Sequence, residues 1–205
     1  MTTTTPARRL RKDAAANRAG ILTAAARTLA LDPHASIDTI ARAAGLTRRA
    51  LYGHFDDRDA LLRELLAGGA QRFNEVAHRA PEGPAPAALA QLTARLWHEA
   101  AHVQVAAALA LDDAHVDDTA AALAPLRRRL MQIVRDGQDD GSFRTDIPAP
   151  TLARLIEEAA RTVVTRLDAG SPTAGSLAVR VVLSLAGLSW READALIDDL
   201  AIEED

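Results

Sequence analysis

The chain contains no cysteine. Disulfides and thiolate metal sites are therefore excluded, and the composition fits a reducing compartment. Aromatic residues fall to 3%, and strand formers are outweighed by Ala, Leu and Arg, which favour helix. An all-α protein is expected. No apolar run approaches the roughly 18 residues that would suggest a membrane span. The N-terminus, Thr-rich and then basic, lacks the apolar core of a secretory leader, so a cytoplasmic location is expected. Lysine is nearly missing as well: Lys12 is the single one among 24 basic residues, a bias to which no functional meaning is attached.

What is present is unevenly distributed. The net charge is −4 over 205 residues, yet residues 1–60 hold ten basic and six acidic side chains, leaving −8 for the remainder. A basic head on an acidic body suits a polyanion bound at one end only.

The stretch from Ser36 to Leu62 carries the sharpest signal. Ser36 can cap a helix whose apolar positions Ile37, Ile40, Ala41 and Ala44 recur at helical spacing, and Gly45 can take the left-handed backbone at its stop. Thr47 caps a second helix, roughly 48–54, with Ala50 and Leu51 inward and Arg48, Arg49, Tyr52 and His54 on or near the outer side. Asp56 is placed to cap a third, starting near 57–59. Two short helices about a tight Gly turn form a helix-turn-helix, whose second helix enters the DNA major groove. Arg48 and Arg49 stand at the start of that helix, and arginine can hold guanine O6 and N7 together.

The run Ile40-Ala41, Ala44-Gly45-Leu46, Thr47, Leu51-Tyr52-x-His54-Phe55 and Leu61-Leu62 resembles the TetR family of bacterial one-component transcriptional regulators. Ile21-Leu22-x-Ala24-Ala25 is similar to the family's first helix, and Gly137-x-x-x-Gly141-x-Phe143-Arg144-x-Asp146 to the turn before its last long helices. The resemblance implies a fold: an N-terminal three-helix helix-turn-helix domain over residues 1–57, with an N-terminal arm, and a C-terminal helical ligand-binding and dimerisation domain over 58–205, the two joined by a helix over 58–79. It also implies phosphate contacts by Thr47, Tyr52, His54 and Arg58, to which Ser36 and Arg42 add contacts from the preceding helix. The implied function is that of a ligand-responsive regulator, most often a repressor, binding a palindromic operator as a homodimer and answering to a small-molecule effector.

Along the chain, residues 1–12 lack apolar periodicity and read as a basic tail, and Asp13 to Leu31 as the first helix. Inside the helix that begins at Arg58, Gly68-Gly69 suggests a bend or a close neighbour. After the breaker cluster 80–86, a helix over about 87–111 becomes apolar on nearly all sides, as an enclosed helix would. Its few large or polar groups, Trp97, His98, His102 and Gln104, are candidates for effector contact. Arg127, Arg128 and Arg129 read as an ion-paired surface beside the acidic stretch 112–118. Two last long helices are expected at about 150–168 and 173–188, and the second, with Arg180 its one charge between Ala174 and Trp190, is apolar enough to imply a partner subunit. Leu152, Leu155, Ile156, Val163, Leu177, Val181 and Leu185 are the expected dimer-interface residues.

A second reading stays open. His98-Glu99-x-x-His102 is a literal H-E-x-x-H, whose spacing sets two imidazoles on one helical face for zinc, with the glutamate as general base. It would make the protein a zinc metallopeptidase or a metal-binding sensor. Val105 and Ala108 break the metzincin continuation, and His115, Asp112 and Asp113 are only arbitrary third ligands. No catalytic residue, resident metal or cofactor is therefore expected.

Overall fold

Strong helix formers occupy nearly every stretch between the Gly and Pro punctuation, and among the described residues the regular structure they make is helical. The structure, a computed structural model, describes the backbone of residues 6–32, 34–80, 82–109, 121–166 and 174–202, with side chains from residue 17 onward except 33, 81, 100–120 and 164–174. Among these residues there are nine helices and no strand: α1 (Pro6–Leu31), α2 (Ile37–Ala43), α3 (Arg48–Tyr52), α4 (Arg58–His78), α5 (Ala85–Leu109), α6 (Ala124–Asp139), α7 (Ala149–Arg166), α8 (Ala174–Ala186) and α9 (Trp190–Asp199). None is long and apolar enough to cross a membrane.

Helix α1 begins at Pro6 rather than near Asp13. Proline is tolerated in a first turn, where its missing N–H has no intrahelical partner to lose. Much of the expected basic tail is therefore helical backbone, with side chains outside the described residues.

The chain divides into two compact units, Met1–Ala67 and Gly68–Asp205. The division falls inside α4, the helix whose start was the expected boundary. A Cβ added at Gly68 would meet nothing within 4 Å, so no neighbour needs that glycine.

The first unit is held by Ile21, Ala25 and Leu29 of α1, Ile37 and Ile40 of α2, Leu51, Phe55, and Leu61, Leu62 and Leu66 of α4, all buried. In the second, α5 packs against α6, α7 and α8, and α8 also against α7 and α9. The first half of α5 buries Ala88, Leu89, Leu92 and Ala94; the side chains from residue 100 onward, where an enclosed helix was expected, lie outside the described residues. Leu130, Ile133 and Val134 of α6 complete one core with Leu152, Ile156, Val179, Val182 and Leu183.

The glycines at 137 and 141 have separate physical causes. Gly137 lies under the Phe143 ring, where a Cβ would come within 2.6 Å of Cγ, and Gly141 turns the chain at φ 77°. The Phe143 N–H then donates to the Gly137 carbonyl at 2.8 Å, and the Arg144 N–H to that of Ala186 at the end of α8 at 2.8 Å.

Arg127 turns toward α7, where its Nε lies 3.0 Å from both carboxylate oxygens of Glu157. The acidic stretch 112–118, expected as its partner, lies outside the described residues.

Candidate nucleic-acid interface

Helix α2 starts where the Ser36 Oγ accepts the Thr39 N–H at 3.2 Å. It ends in a Schellman arrangement, with Gly45 N–H to Arg42 carbonyl at 3.0 Å and Leu46 N–H to Ala41 carbonyl at 2.9 Å. Gly45 sits at φ 71°, a left-handed backbone that an L side chain adopts only at a cost. The Thr47 Oγ1 then accepts the Ala50 N–H at 3.2 Å and opens α3. Both caps stand on the residues expected to form them. The cap of α4 does not: the Asp57 carboxylate, not that of Asp56, accepts the Ala60 N–H, at 2.6 Å.

One side chain of α3 is buried, Leu51 at 0% exposure, with Ile40 at 0% and Phe55 at 2% beside it in the core. Arg48, Arg49 and Tyr52 are exposed. Ala50, expected inward, is exposed as well, because a helix this short has room for one anchor toward the core.

The two arginines differ in their surroundings. Arg48 Nη1 lies 3.2 Å from Asp38 Oδ2 on α2, and its Nη2 lies 3.4 Å from the Tyr52 hydroxyl one turn along. Its Cζ stands 5.5 Å from the Tyr52 ring centroid. The Tyr52 hydroxyl first, and then Asp38, hold this guanidinium further toward its charged form. Arg49 has no such partner among the described residues.

The expected phosphate-contacting residues separate into two groups. Ser36, Arg42, Thr47 and Tyr52 are exposed on α2 and α3, although Ser36 and Thr47 already serve as caps and the Arg42 Nε donates to the Asp38 carbonyl at 3.3 Å. His54 and Arg58 are half-buried. The His54 carbonyl accepts from Arg18 Nη1, and Arg58 Nη1 donates to the Ala35 carbonyl in the α1–α2 connection. Arg58 thus ties the loop before α2 to the start of α4, a structural task the sequence reading did not foresee.

Arg18 was missed entirely. From α1 its Nε reaches both Glu64 oxygens on α4, at 2.8 and 3.0 Å. Its Cζ lies 4.2 Å over the Phe55 ring, while Nη1 binds the His54 carbonyl just past α3. The Glu64 hydrogen bond holds the Arg18 guanidinium further on its charged side, against an opposing effect of burial. One side chain thereby clamps the end of the outward helix. Glu64 lies 46 residues away in sequence, and no local spacing announces the pair.

In the second unit the expected residues scatter. Trp97 is half-buried against Gly175 of α8, where a Cβ would lie 2.8 Å from its Cδ1, so it serves helix packing. His98 is exposed. The side chains of His102 and Gln104 lie outside the described residues. Glu99, the base of the zinc reading, is ion-paired with Arg72 at 2.9 Å. Among the described residues no three His, Asp or Glu gather as a metal site would require. An open groove of about 260 Å³ lies between α4 and α5, lined by Arg72, Glu75, Val76, Arg79, Arg95 and Glu99.

Of the expected interface residues, Leu152, Ile156 and Val163 are buried within this chain at 0%, 2% and 7% exposure. They face the core of their own chain. Leu155 and Leu177 are 42% and 40% exposed, and Val181 and Leu185 are half-buried.

Residues 21–65 match the family model described as bacterial regulatory proteins, tetR family. No curated protein matches the chain in sequence. Solved structures share the fold. PfmR from Thermus thermophilus, a TetR family transcriptional regulator, aligns at TM-score 0.71 and 19% identity over 82% of this chain and 98% of its own. The ketosteroid transcriptional regulator KstR2 of Mycobacterium tuberculosis aligns at 0.65 and 21%, over 82% and 93%. FadR from Bacillus subtilis, in complex with stearoyl-CoA, aligns at 0.65 and 18%, over 82% and 97%.

Proposed function

We propose, from a chain whose residues 21–65 are the head of the tetR family of bacterial regulatory proteins and whose fold is that of TetR-family regulators, that the protein is a ligand-responsive, DNA-binding transcriptional regulator that acts as a repressor. The observation that carries this reading is α3 itself. A short rod anchored by Leu51 turns Arg48, Arg49 and Tyr52 to solvent, as a helix in a major groove needs.

In this reading Arg49, with no described internal partner, and Arg48 meet base edges. Thr47, Tyr52, Ser36 and Arg42 fix register on phosphates. His54 and Arg58, half-buried and engaged inside the head, act chiefly by holding its shape. Two copies pair through the exposed face of α7 and α8, with Leu155, Leu177, Val181 and Leu185 at its centre, and read an operator whose half-sites lie about 34 Å apart, one helical turn. An effector bound in the second unit lowers operator affinity by binding the DNA-incompatible state more tightly. Trp97, His98, His102 and Gln104 stay as contact candidates. The protein works in the cytoplasm, where its DNA is, and no catalytic step is assigned to it.

The test is selection of bound fragments from the host genome by the purified protein, followed by footprinting. An inverted repeat should be protected, and Arg49→Ala should weaken it by about 1–3 kcal/mol while sparing the fold. Binding with no sequence preference at physiological salt would refute the proposal.

A further inference from the structure

We infer that Asp38, on the supporting helix α2, is a positioning residue for sequence selectivity: it holds the Arg48 guanidinium in one orientation on the reading edge and shields its charge from indiscriminate phosphate contact. The inference rests on the DNA-reading role proposed above and adds a residue that the α3 pattern alone would leave out.

Three contacts define the arrangement. Arg48 Nη1 meets Asp38 Oδ2 at 3.2 Å, Nη2 meets the Tyr52 hydroxyl at 3.4 Å, and Cζ stands 5.5 Å from the Tyr52 ring centroid. They come from two different helices, so the long side chain is tethered at its far end rather than only at its root. A guanidinium has five N–H donors. Two are engaged here, and enough remain for a bidentate grip on a guanine edge. With Asp38 at 45% and Arg48 at 58% side-chain exposure, the pair stands on the surface that the proposed DNA contact would cover.

Two consequences follow from elementary electrostatics and entropy. An untethered arginine must surrender rotamer freedom when it binds a base; one already held surrenders less, so the specific complex gains. The carboxylate also competes with phosphate for the guanidinium, which weakens nonspecific binding, where Arg48 would meet phosphate, more than specific binding, where it meets a base edge. Both effects raise the ratio of specific to nonspecific affinity. Arg49 lacks such a carboxylate among the described residues and is the freer cation of the two.

Asp38 also sits in the first turn of α2, where a negative charge favours the helix dipole. A role confined to that would make Asp38→Asn lower the melting temperature and weaken all DNA binding together, leaving the ratio unchanged.

The experiment uses the full-length protein and two duplexes: one carrying the site most enriched by the wild type from a random library, and the same duplex with that site scrambled. Asp38→Asn should bind the scrambled duplex more tightly and lose about threefold to tenfold in the specific-to-nonspecific ratio. Asp38→Glu should recover most of it. In an Arg48→Ala background, Asp38→Asn should leave the ratio where Arg48→Ala put it, because the carboxylate acts through that guanidinium. An unchanged ratio in the single variant, or an additive loss in the double variant, overturns the inference while the DNA-reading role stands. Failure of the wild type to enrich any site overturns both.

Discussion

Replacing Arg18 by alanine tests whether the reading helix is held from behind. The guanidinium binds Glu64 through Nε at 2.8 and 3.0 Å, donates to the His54 carbonyl, and covers the Phe55 ring at 4.2 Å. The ion pair is discounted for solvent, since the two side chains are 41% and 35% exposed, and counts for about 0.5 kcal/mol. The hydrogen bond to the carbonyl adds about 1 kcal/mol and the ring contact about 0.5 kcal/mol. The loss, about 2 kcal/mol, should fall on the head. Because the chain forms two units, a single melting curve need not isolate it. Amide exchange does: the Phe55 N–H, bonded to the Leu51 carbonyl at 3.0 Å, should exchange about twentyfold to thirtyfold faster in Arg18→Ala, at 1.4 kcal/mol per tenfold. Operator affinity should fall as well. Arg18→Lys, which keeps charge but not the fork, should recover only part of either. Since folding raises the Arg18 pKa, its contribution is complete below the unfolded pKa and lost only in strong alkali, so the effect should be flat across neutral pH. Unchanged exchange and affinity in Arg18→Ala, or full recovery in Arg18→Lys, would refute the clamp.

Gly137→Ala should lower the stability of the second unit by about 1–3 kcal/mol, because overpacking against Phe143 outweighs the gain in helix propensity; a raised melting temperature would contradict this. Leu155→Arg with Leu177→Arg should yield folded monomers by analytical ultracentrifugation, while a persisting dimer would move the interface elsewhere. Acid should loosen the 140–146 turn and the start of α9. Asp140 is depressed by hydrogen bonds from Ser142, Asp146 by Arg144 and Glu192 by Ser189, so their contributions are present above the unfolded carboxylate range and fade as pH falls below about 4; amide exchange across these turns that stays flat from neutral pH down to that range would count against it. Chelation should leave melting temperature and DNA binding unchanged, and His98→Ala should behave as wild type. A chelator-sensitive protein restored by zinc would revive the metal reading of His98 and His102.

Local chemistry was legible in the sequence, and contacts between distant segments were not. Ser36, Gly45 and Thr47 announce two helices and the turn between them because caps and left-handed glycines act within three or four residues. Asp57 displaced Asp56 as the cap of α4, since neighbouring acids are interchangeable until the backbone chooses one. The apolar stripe of α7 was visible, but not which side of it faces the chain's own core. Leu152, Ile156 and Val163 went inward and Leu155 outward, a difference set by where α5, α6 and α8 lie. The literal H-E-x-x-H was equally visible, yet Arg72 claims its glutamate from another helix.

The sequence by itself determined the helical class, the basic head and the capped turn that presents Arg48 and Arg49, because periodicity, charge and capping are properties of neighbouring residues. Only the tertiary structure decided that Arg18 grips Glu64 and the end of α3, that Arg58 is bound to Ala35, and that Asp38 takes hold of Arg48. Those pairings join segments whose separation along the chain follows no fixed period, and they exist only once packing has brought the helices together.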